Sequence, residues 1–434
     1  MTVGRRIFLA GAGAVGAAPL IGGTAAHAVD DPAKKKRKVK TGAQVLADSG
    51  WAALAGQKVG VFSNPTGVLA DGSHIVDAMH AAGKSKVELV AAFGPEHGFR
   101  GAAQAGGSQG DHRDPRTDIM VYDAYGANAA KLQSIYTKAG VETVVFDIQD
   151  VGVRFYTYIW SMYEAMVAAA KMGLRFVVLD RPNPIGGAVR GPLLKPGYTS
   201  GVGKEEIILQ HGMTVGELAR LFNAEYLALD TGGPVVRDLE VIELEGWRRD
   251  QLYTDTGLTW VMPSPNMPTP DTALLYPGTC LFEATNMSEG RGTTRPFELI
   301  GAPYVDYQWA DALRTKDIPG IEFREAYFTP FISKNANTPC GGVQVHISDP
   351  DRVDPILAAT HMMVEAKRLY PTKFSWRTEN PPGRWIDLLT GSDRFRTMFT
   401  AGATAEEIVA AWRPETRAWT ARRAKYLLYK GDHR

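Results

Sequence analysis

The sequence predicts an α/β protein. A Rossmann-like, doubly wound parallel sheet domain (residues 41–265) is followed by a smaller α+β C-terminal domain (residues 266–434). Short apolar runs alternate with helical stretches in the first region, which is typical of a parallel sheet with crossover helices. The alternation ends where four prolines fall within residues 263–271, because proline interrupts regular structure. A chain of 434 residues is also too long for one ordinary core.

The individual elements follow from apolar runs and helix-start signals. The predicted strands lie in KVGVFSNPTG, KVELVAAF, DIMVYDAYG, VETVVFDIQD, RFVVLDRPNP and DLEVIEL. The predicted helices are TGAQVLADSGWAALAGQ with a Thr41 cap, HIVDAMHAAG, NAAKLQSIYTKAG, YTYIWSMYEAMVAAAKMG and TVGELARLFNAEYLA. In the second region, residues 319–349 predict strands, and two amphipathic helices are expected to end the chain.

The N-terminus predicts an export signal over residues 1–28. Arg5 and Arg6 precede an apolar stretch that ends in an Ala-His-Ala cleavage pattern, which resembles a twin-arginine signal. A signal-anchor that stays in the membrane is the alternative. Residues 29–40 are interpreted as a basic linker, since the Lys34–Lys40 run has no nuclear role in an exported chain. The expected location is therefore the cell envelope or the extracellular space.

Net charge and motif context argue against several classes of protein. A net charge of +1 gives no field that would favour nucleic acid or a membrane surface. Residues 11–16 match G-x-G-x-x-G, but they lie inside the predicted signal and follow no strand, so no dinucleotide cofactor is expected. Cys280 and Cys340 are interpreted as buried free thiols. No spacing indicates zinc, and no metal is expected.

Polar residues follow four of the predicted strands. They are Ser63–Thr66, Gly94–His97, Asp147–Tyr158 and Asp180–Pro184. Because parallel strands deliver their C-terminal ends to one edge of a sheet, these loops are expected to converge on one cleft. Amides, carboxylates, arginines and aromatic rings together suit a sugar ligand, and Asn64 and Asn266 are predicted amide contacts to it.

The segment FGPEHGFRG provides the predicted catalytic acid, Glu96. Glycoside cleavage needs a carboxylic acid beside the leaving oxygen, and partial desolvation in a loop favours the protonated form of a carboxyl group. His97 is expected to contact the acid or a sugar hydroxyl. The glycine-rich stretch 101–118 that follows predicts a long functional loop. The alternative is a plain turn with two solvated polar groups.

A second catalytic group is needed on the opposite face of the sugar. The candidates are Asp147, Asp150, Glu289 and the substrate's own N-acetyl group. Asp147 and Asp180 have an alternative role as helix caps. Tyr156 and Tyr158 are predicted to stack on a sugar ring, with packing in the core as the alternative. His211 is interpreted as part of a helix start, since Thr214 and Glu217 form a capping-box pattern.

The strongest motif of the second region is NMSEGRGTTRPF, residues 286–297. Arg291 lies between two glycines, as expected where backbone approaches a ligand, and Arg291 with Arg295 can grip a carboxylate through paired N–H groups. A flexible loop is the alternative interpretation.

Taken together, these segments resemble one bacterial family, the exo-β-N-acetylmuramidases. The resemblance extends from about Val39 to the end and is carried by FGPEHGFRG, FDIQDVGVRFYTYI, LDRPNPIGG, GPLL, HGMTVGEL, PSPNMPT, YPGTCLFEATNMSEGRGTTRPFELIGAP and YLLY. It implies a Rossmann-like domain without nucleotide and a C-terminal domain that helps to close the cleft. It also implies release of N-acetylmuramic acid from the non-reducing end of peptidoglycan glycan fragments, usually disaccharides, with Glu96 as the acid.

The lactyl carboxylate of that sugar needs a cationic partner. Arg154, Arg181, Arg291 and Arg295 are the candidates, and our hypothesis assigns the role to Arg291 because a guanidinium matches a carboxylate in a forked geometry. Arg154 and Arg181 have the alternative role of structural ion-pair partners.

Two other classes of function remain open from the residues alone. One is a non-catalytic protein that binds envelope glycans. The other is a metal-dependent amidase or esterase that uses His97, His112 and His211, although these histidines lack a metal-ligand spacing.

Overall fold

The computed structural model describes residues 38–104, 106–378 and 383–431. The predicted export signal and the first part of the predicted linker lie outside the described residues. From Lys38 onward the chain belongs to one compact unit. Val39 is buried and its N–H donates to the Thr256 carbonyl, while Lys40 pairs with Asp48. Val39 and Lys40, the last residues of the predicted linker, are therefore part of the folded unit.

Twelve strands and thirteen α-helices make up the described chain. The strands are β1 (Lys58–Ser63), β2 (Glu88–Gly94), β3 (His112–Arg113), β4 (Met120–Asp123), β5 (Thr143–Asp147), β6 (Arg175–Leu179), β7 (Arg190–Leu193), β8 (Ile208–Gln210), β9 (Leu239–Ile242), β10 (Leu299–Ala302), β11 (Ile321–Phe328) and β12 (Cys340–Ile347). The helices are α1 (Gly42–Asp48), α2 (Ile75–Ala82), α3 (Ala129–Ala139), α4 (Tyr158–Met172), α5 (Val215–Glu225), α6 (Leu227–Thr231), α7 (Pro270–Thr279), α8 (Tyr307–Arg314), α9 (Pro355–Leu369), α10 (Arg384–Thr390), α11 (Arg394–Thr400), α12 (Ala405–Ala410) and α13 (Arg413–Arg423).

Seven strands form the main sheet in the order β3-β4-β2-β1-β5-β6-β9. All neighbours pair in parallel except β3, which is antiparallel to β4. Strands β2 and β4 lie on one side of β1, and the later strands β5, β6 and β9 lie on the other side. Since β1 and β5 are neighbours, the loops that leave their C-terminal ends diverge, and a crevice opens between them.

Helices cover both faces of this sheet, as the prediction of a doubly wound fold requires. Successive strand residues point to opposite faces. Phe62, Phe146 and Val178 belong to the core cluster that includes α3, α4 and α5. Val61, Val145 and Val177 belong to the cluster that includes α1 and α2. With both faces buried, the strands are apolar between their ends, which is why they were visible in the sequence.

The second region is α+β, as expected. Its sheet has the antiparallel order β10-β12-β11, and α8 and α9 pack beside it. Helix α7 begins at Pro270, because a proline is tolerated in the first helical turn. The prediction of two closing helices was wrong, since five helices from α9 to α13 follow β12. Gly391 and Gly402, both with positive φ, separate three of the short helices.

Both regions contribute to one hydrophobic core. A single cluster includes Phe62 of β1, Trp160 of α4 and Trp309 of α8. Cys280 and Cys340 are buried free thiols, as interpreted from the sequence. Within the described part of the chain, no helix combines the length and apolarity needed to cross a bilayer.

Candidate active site

A cavity of about 150 Å³, here termed the inner cavity, lies beside the loops that follow β2 and β5. Its lining residues come from both regions of the chain. They are Glu96, His97, Phe155, Tyr156, Thr157, Tyr158, Val202, Ser264, Asn266, Tyr276, Glu283 and Arg291. The structure therefore brings together six of the residues that the sequence predicted for the site: Glu96, His97, Tyr156, Tyr158, Asn266 and Arg291.

Glu96 lies in a tight turn directly after β2. The Gly98 N–H donates to the Pro95 carbonyl at 2.9 Å, which closes the turn. His97 has a φ of 72° in this turn, a left-handed conformation that is uncommon outside glycine. Such backbone strain concentrates at functional sites. The turn leaves the Glu96 side chain partly exposed at the cavity, while His97 is buried.

Two donors hold the Glu96 carboxylate from opposite sides. The Gly106 N–H donates to Oε1 at 2.9 Å, and the Thr157 hydroxyl lies 3.2 Å from Oε2. Gly106 belongs to the glycine-rich stretch that was predicted to be a functional loop. Thr157 directly precedes α4. The acid is thus fixed by the loop after β2 and by the start of the helix after β5.

His97 ties the same glycine-rich stretch to the turn. Its backbone N–H donates to the Gly107 carbonyl at 3.0 Å, and its carbonyl accepts from the Ala103 N–H at 3.1 Å. The ring Nδ1 lies 3.2 Å from the Ala103 carbonyl oxygen. Because a carbonyl oxygen only accepts, Nδ1 is the protonated ring nitrogen in this arrangement. His97 therefore anchors the loop that carries one of the donors to Glu96.

Aromatic rings form the buried wall of the inner cavity. Tyr156 contacts both Tyr158 and Tyr276 edge to face, with ring centroids 5.3 and 5.8 Å apart. Burial raises the pKa of Tyr156 well above its ordinary value, and burial likewise raises that of Tyr158. The two phenols therefore stay protonated and act as rigid, neutral walls with hydroxyl groups.

The proline-rich segment reaches the cavity because the first region holds it. The Tyr158 hydroxyl donates to the Pro263 carbonyl at 2.6 Å, and the Asn64 amide lies 3.5 Å from the same oxygen. Asn64 is fully buried, and its Oδ1 also accepts from the Thr66 N–H at 2.9 Å. These contacts place Ser264 and Asn266 at the cavity. Asn64 itself is buried and is not a lining residue of the inner cavity.

Glu283 and Arg291 close the cavity on the side of the second region. The Arg291 Nη2 group donates to Glu283 Oε1 at 2.7 Å, and its Nε lies 3.3 Å from Glu289 Oε1. Burial alone would lower the pKa of Arg291, but the two glutamates raise it above its ordinary value. The guanidinium also lies over the Phe297 ring at 5.0 Å. Arg291 is therefore a charged, firmly positioned wall residue.

Both halves of the chain match known proteins. A family model described as "Exo-beta-N-acetylmuramidase NamZ, N-terminal" matches residues 59–271, and one described as "Exo-beta-N-acetylmuramidase NamZ, C-terminal" matches residues 274–429. A peptidoglycan beta-N-acetylmuramidase NamZ from Bacillus subtilis (strain 168) is 41% identical over 397 residues, which cover 91% of this chain and 92% of the relative. The chain belongs to the exo-beta-N-acetylmuramidase NamZ family. The resemblance drawn from the motifs is confirmed.

Two crystal structures of DUF1343 family proteins from Bacteroides fragilis NCTC 9343 have the same fold. One superimposes with a TM-score of 0.80 at 34% identity, and the other with a TM-score of 0.71 at 30% identity. Each alignment covers 91% of this chain and 99% of the other chain. The fold of this NamZ family member is thus shared over nearly its whole described length.

Several predicted site residues of this NamZ family chain lie outside the inner cavity. Asp147 and Arg181 form a buried, two-pronged ion pair with N–O distances of 2.6 and 2.9 Å. This arrangement matches the alternative of structural partners, since each charge at the strand ends is neutralised by the other. Arg181 also lines a separate cavity of about 450 Å³ together with Thr66 and Gln149.

Asp150 and Arg154 are also engaged by the protein itself. Asp150 accepts from the Gly152 N–H at 2.7 Å and lies 3.6 Å from the Nε2 atom of His211. Arg154 is fully buried, and its guanidinium donates to three backbone carbonyls, those of Pro192, Ile207 and Leu389. Burial lowers the pKa of Arg154 to about 9. Arg154 joins the first region to α10 and is not a lining residue of the inner cavity.

The remaining predicted residues lie further along the second region. Glu289 is buried between Arg291 and Lys334 and lines a neighbouring cavity. Arg295 is half-exposed and pairs with Glu298 at 3.2 Å, away from the inner cavity. A Cβ at Gly292 would lie 2.5 Å from the Ile332 nitrogen. The glycine next to Arg291 is therefore required by the protein's own backbone.

The start of α5 has the contacts that the sequence indicated. Thr214 and Glu217 form the predicted capping box of α5. Asp180 supports the same helix start, since its carboxylate accepts from the Thr214 hydroxyl and the Gly216 N–H. The described residues contain no group of three or more His, Cys, Asp or Glu side chains arranged to hold a metal ion.

Four lining residues of the inner cavity were not predicted as site residues from the sequence: Thr157, Ser264, Tyr276 and Glu283. Glu283 had one usable signal, because it is a lone carboxylate within the apolar run CLFEA, and a charge in a buried run needs a partner. Thr157 had no such signal, since it lies inside the predicted helix that begins at Tyr156. Its hydroxyl faces Glu96, a contact that depends on the sheet order.

Proposed function

We propose that this protein is an exo-acting glycoside hydrolase that releases N-acetylmuramic acid from the non-reducing end of peptidoglycan glycan fragments, with Glu96 as the general acid. The observation that supports it most directly is the Glu96 carboxylate, held by two donors inside a cavity lined by phenols, an amide and an arginine. Membership of the NamZ family supports the same substrate class.

The hydrogen bonds of Glu96 suggest which oxygen carries the acid proton. The Gly106 N–H is only a donor, so Oε1 must accept from it. Oε2 is then the oxygen that holds the proton, and the Thr157 hydroxyl beside it can accept or donate. In the reaction, Oε2 protonates the bridging oxygen as the bond to the anomeric carbon breaks. The leaving sugar departs as a neutral alcohol.

The opposite face of the sugar needs a group that stabilises the positive anomeric carbon. Asp147, Asp150 and Glu289 do not line the inner cavity, which leaves Glu283 and the substrate's own acetamido group. Glu283 is engaged by Arg291 at 2.7 Å, so its negative charge is already partly compensated. This favours the acetamido group as the internal nucleophile.

The test is the conversion of a muramyl-glucosaminyl disaccharide, followed by mass spectrometry. Glu96→Gln keeps the shape and the hydrogen bonds but removes the acid proton, so we expect kcat to fall roughly 10²–10⁴-fold with substrate binding nearly unchanged. Glu88→Gln, at the opposite end of β2, is the control. Ordinary activity in Glu96→Gln would remove Glu96 from the mechanism. The anomeric configuration of the released sugar distinguishes acetamido participation, which retains it, from a water activated by Glu283, which inverts it.

A further inference from the structure

A second cavity of about 630 Å³, here termed the outer cavity, adjoins the inner one. Glu283 and Arg291 line both cavities, so the two spaces meet along this ion pair. The outer cavity lies between the turn that contains Glu283, the loop around Lys334 and the segment around Trp376. Nothing in the mechanism above uses it.

The two cavities differ in how they meet solvent. The wall of the inner cavity is made of buried aromatic rings, among them Tyr156 and Tyr276. The outer cavity is bordered by exposed residues, among them Ser333, Ser375 and Thr378. An enzyme that removes a terminal sugar needs a closed pocket for that sugar and an opening to solvent for the rest of the glycan chain. The inner cavity meets the first need and the outer cavity meets the second.

The lining chemistry of the outer cavity suits a neutral sugar. Asn286, Asn335 and Ser375 supply amide and hydroxyl groups, and Trp376 supplies a half-buried ring. Trp376 is held by a ring contact to Phe399 at 5.1 Å. Amides and hydroxyls match sugar hydroxyls, and an indole face matches the apolar face of a pyranose.

Four charged side chains of the outer cavity form ion pairs, and the exposed Arg377 also lines it, with its guanidinium over the Trp385 ring at 5.1 Å. Arg291 pairs with Glu283, and Lys334 lies 2.8 Å from Glu289. Lys334 also donates to the carbonyls of Phe282 and Thr285 at 2.6 and 2.9 Å. The paired charges hold one another in fixed positions, and such a surface tolerates a neutral saccharide.

The loop beside Lys334 is held in an unusual backbone shape. Ser333, Asn335 and Asn337 all have positive φ values between 57° and 69°. The Asn335 amide donates to the Asn286 carbonyl at 3.2 Å. A strained loop that is fixed by such contacts presents a preformed surface, which lowers the entropy that a ligand must lose on binding.

We propose that the outer cavity binds the saccharide units that remain beyond the cleaved bond, and that glycan fragments longer than a disaccharide are therefore the preferred substrates. This inference rests on the proposed function, because it takes the inner cavity as the site of the terminal sugar. The bound unit next to the bond contacts Glu283 and Arg291. The following units reach the amides and the Trp376 ring.

The experiment compares three substrates: a nitrophenyl muramide, the muramyl-glucosaminyl disaccharide and the tetrasaccharide with the same repeat. We expect wild-type kcat/KM to be roughly fivefold higher for the tetrasaccharide than for the disaccharide, the gain that one stacked ring supplies. Ser375→Trp fills the outer cavity, and we expect it to remove this preference. Activity on the nitrophenyl muramide should stay within about twofold of wild type. Thr378→Trp is a second variant of the same design, and Glu322→Trp on the exposed side of β11 is the control.

Equal wild-type kcat/KM for the disaccharide and the tetrasaccharide would overturn the inference. A preference that survives in both tryptophan variants would do the same. A gain on peptide-bearing disaccharides alone, lost in Ser375→Trp, would assign the cavity to the peptide and also overturn it. Failure of the wild type to cleave the nitrophenyl muramide is a different result, because it refutes the proposed function itself.

Discussion

Arg291 is the residue at which the two cavities and the two regions of the chain meet. Its Nη2 and Nε groups face Glu283 and Glu289, and its Nη1 group makes no hydrogen bond to another described residue. One donor edge of the guanidinium thus remains for a ligand. A carboxylate that accepts from this edge would form a charge-assisted hydrogen bond with a guanidinium that the two glutamates hold in position.

We predict that Arg291→Ala lowers kcat/KM on a nitrophenyl muramide about 10- to 100-fold, the loss expected when a charged hydrogen bond to the lactyl carboxylate disappears. The loss on a nitrophenyl N-acetylglucosaminide should be far smaller, because that sugar lacks the lactyl group. Arg291→Lys should resemble the alanine variant, since lysine has no planar fork.

The matched control for this prediction is Arg295→Ala, which removes a half-exposed arginine of the same motif that pairs with Glu298. Thermal unfolding of each variant separates local from global effects, because Arg291→Ala also removes the ion-pair partner of Glu283 and leaves Glu289 with Lys334 alone. Equal losses on both sugars would show that Arg291 does not recognise the lactyl carboxylate.

At the residue scale, the sequence identified charged and aromatic candidates but not which of them share a cavity. Asp147, Arg181 and Glu96 all follow strands of one sheet, yet Asp147 and Arg181 neutralise each other in the interior. Strand ends indicate an edge of the sheet, not the direction of a side chain from that edge. Glu283 was missed because its partner, Arg291, becomes a neighbour only through the fold.

The glycine-rich segment acts as an element of the site although it has almost no regular structure. Gly106 donates to Glu96, and the Gly107 carbonyl accepts from the His97 N–H. Gly106 has a φ of 78°, and a Cβ there would meet nothing within 4 Å. Only backbone conformation therefore requires glycine at this position.

We predict that Gly106→Ala lowers kcat/KM on the disaccharide several-fold, about fivefold to tenfold, because alanine disfavours this conformation by about 1–2 kcal/mol and shifts the N–H away from Glu96. Gly110→Ala is the matched control. Gly110 has a φ of 68° and equally open surroundings, but it makes no contact with Glu96. Comparable losses in the two variants would mean that loop strain, and not the bond to Glu96, limits activity.

At the element scale, buried parallel strands were the most predictable part of the chain. β1, β2, β5 and β6 are apolar between their ends because helices cover both faces of the sheet. The closing helices were not predicted in number, because short helices such as α10 and α11 bury only a few residues each. Such short apolar patterns do not separate one long helix from two short ones.

At the scale of the whole molecule, the catalytic acid and its surroundings come from different regions. Glu96 and Tyr156 belong to the first region, and Glu283 and Arg291 belong to the second. The shared hydrophobic core fixes the two regions against each other. Neither region alone can form the inner cavity, so the arrangement of this cleft could not be predicted from either half of the sequence.

At the scale of the whole chain, the state of the two cysteines also bears on the proposed export. Cys280 and Cys340 are free and buried, so the fold needs no oxidising compartment to form. A protein that folds without disulfides is suited to a pathway that carries folded substrates, which agrees with the paired arginines at positions 5 and 6. We propose that the folded enzyme is exported through the twin-arginine signal that the sequence predicts for residues 1–28.

The prediction for export is that the mature protein begins at Val29, after cleavage behind Ala28. Intact-mass measurement of protein from the medium or the envelope fraction of a host with a twin-arginine pathway tests this. Changing Arg5 and Arg6 to lysine together should leave the protein in the cytoplasm with nitrophenyl muramidase activity retained, because the substitutions lie outside the folded unit that starts at Lys38. The control exchanges Lys34 and Lys35 for glutamine, which should leave export intact. An unprocessed N-terminus in the exported wild type would instead identify residues 1–28 as an anchor, and export of the double-lysine variant would exclude the twin-arginine route.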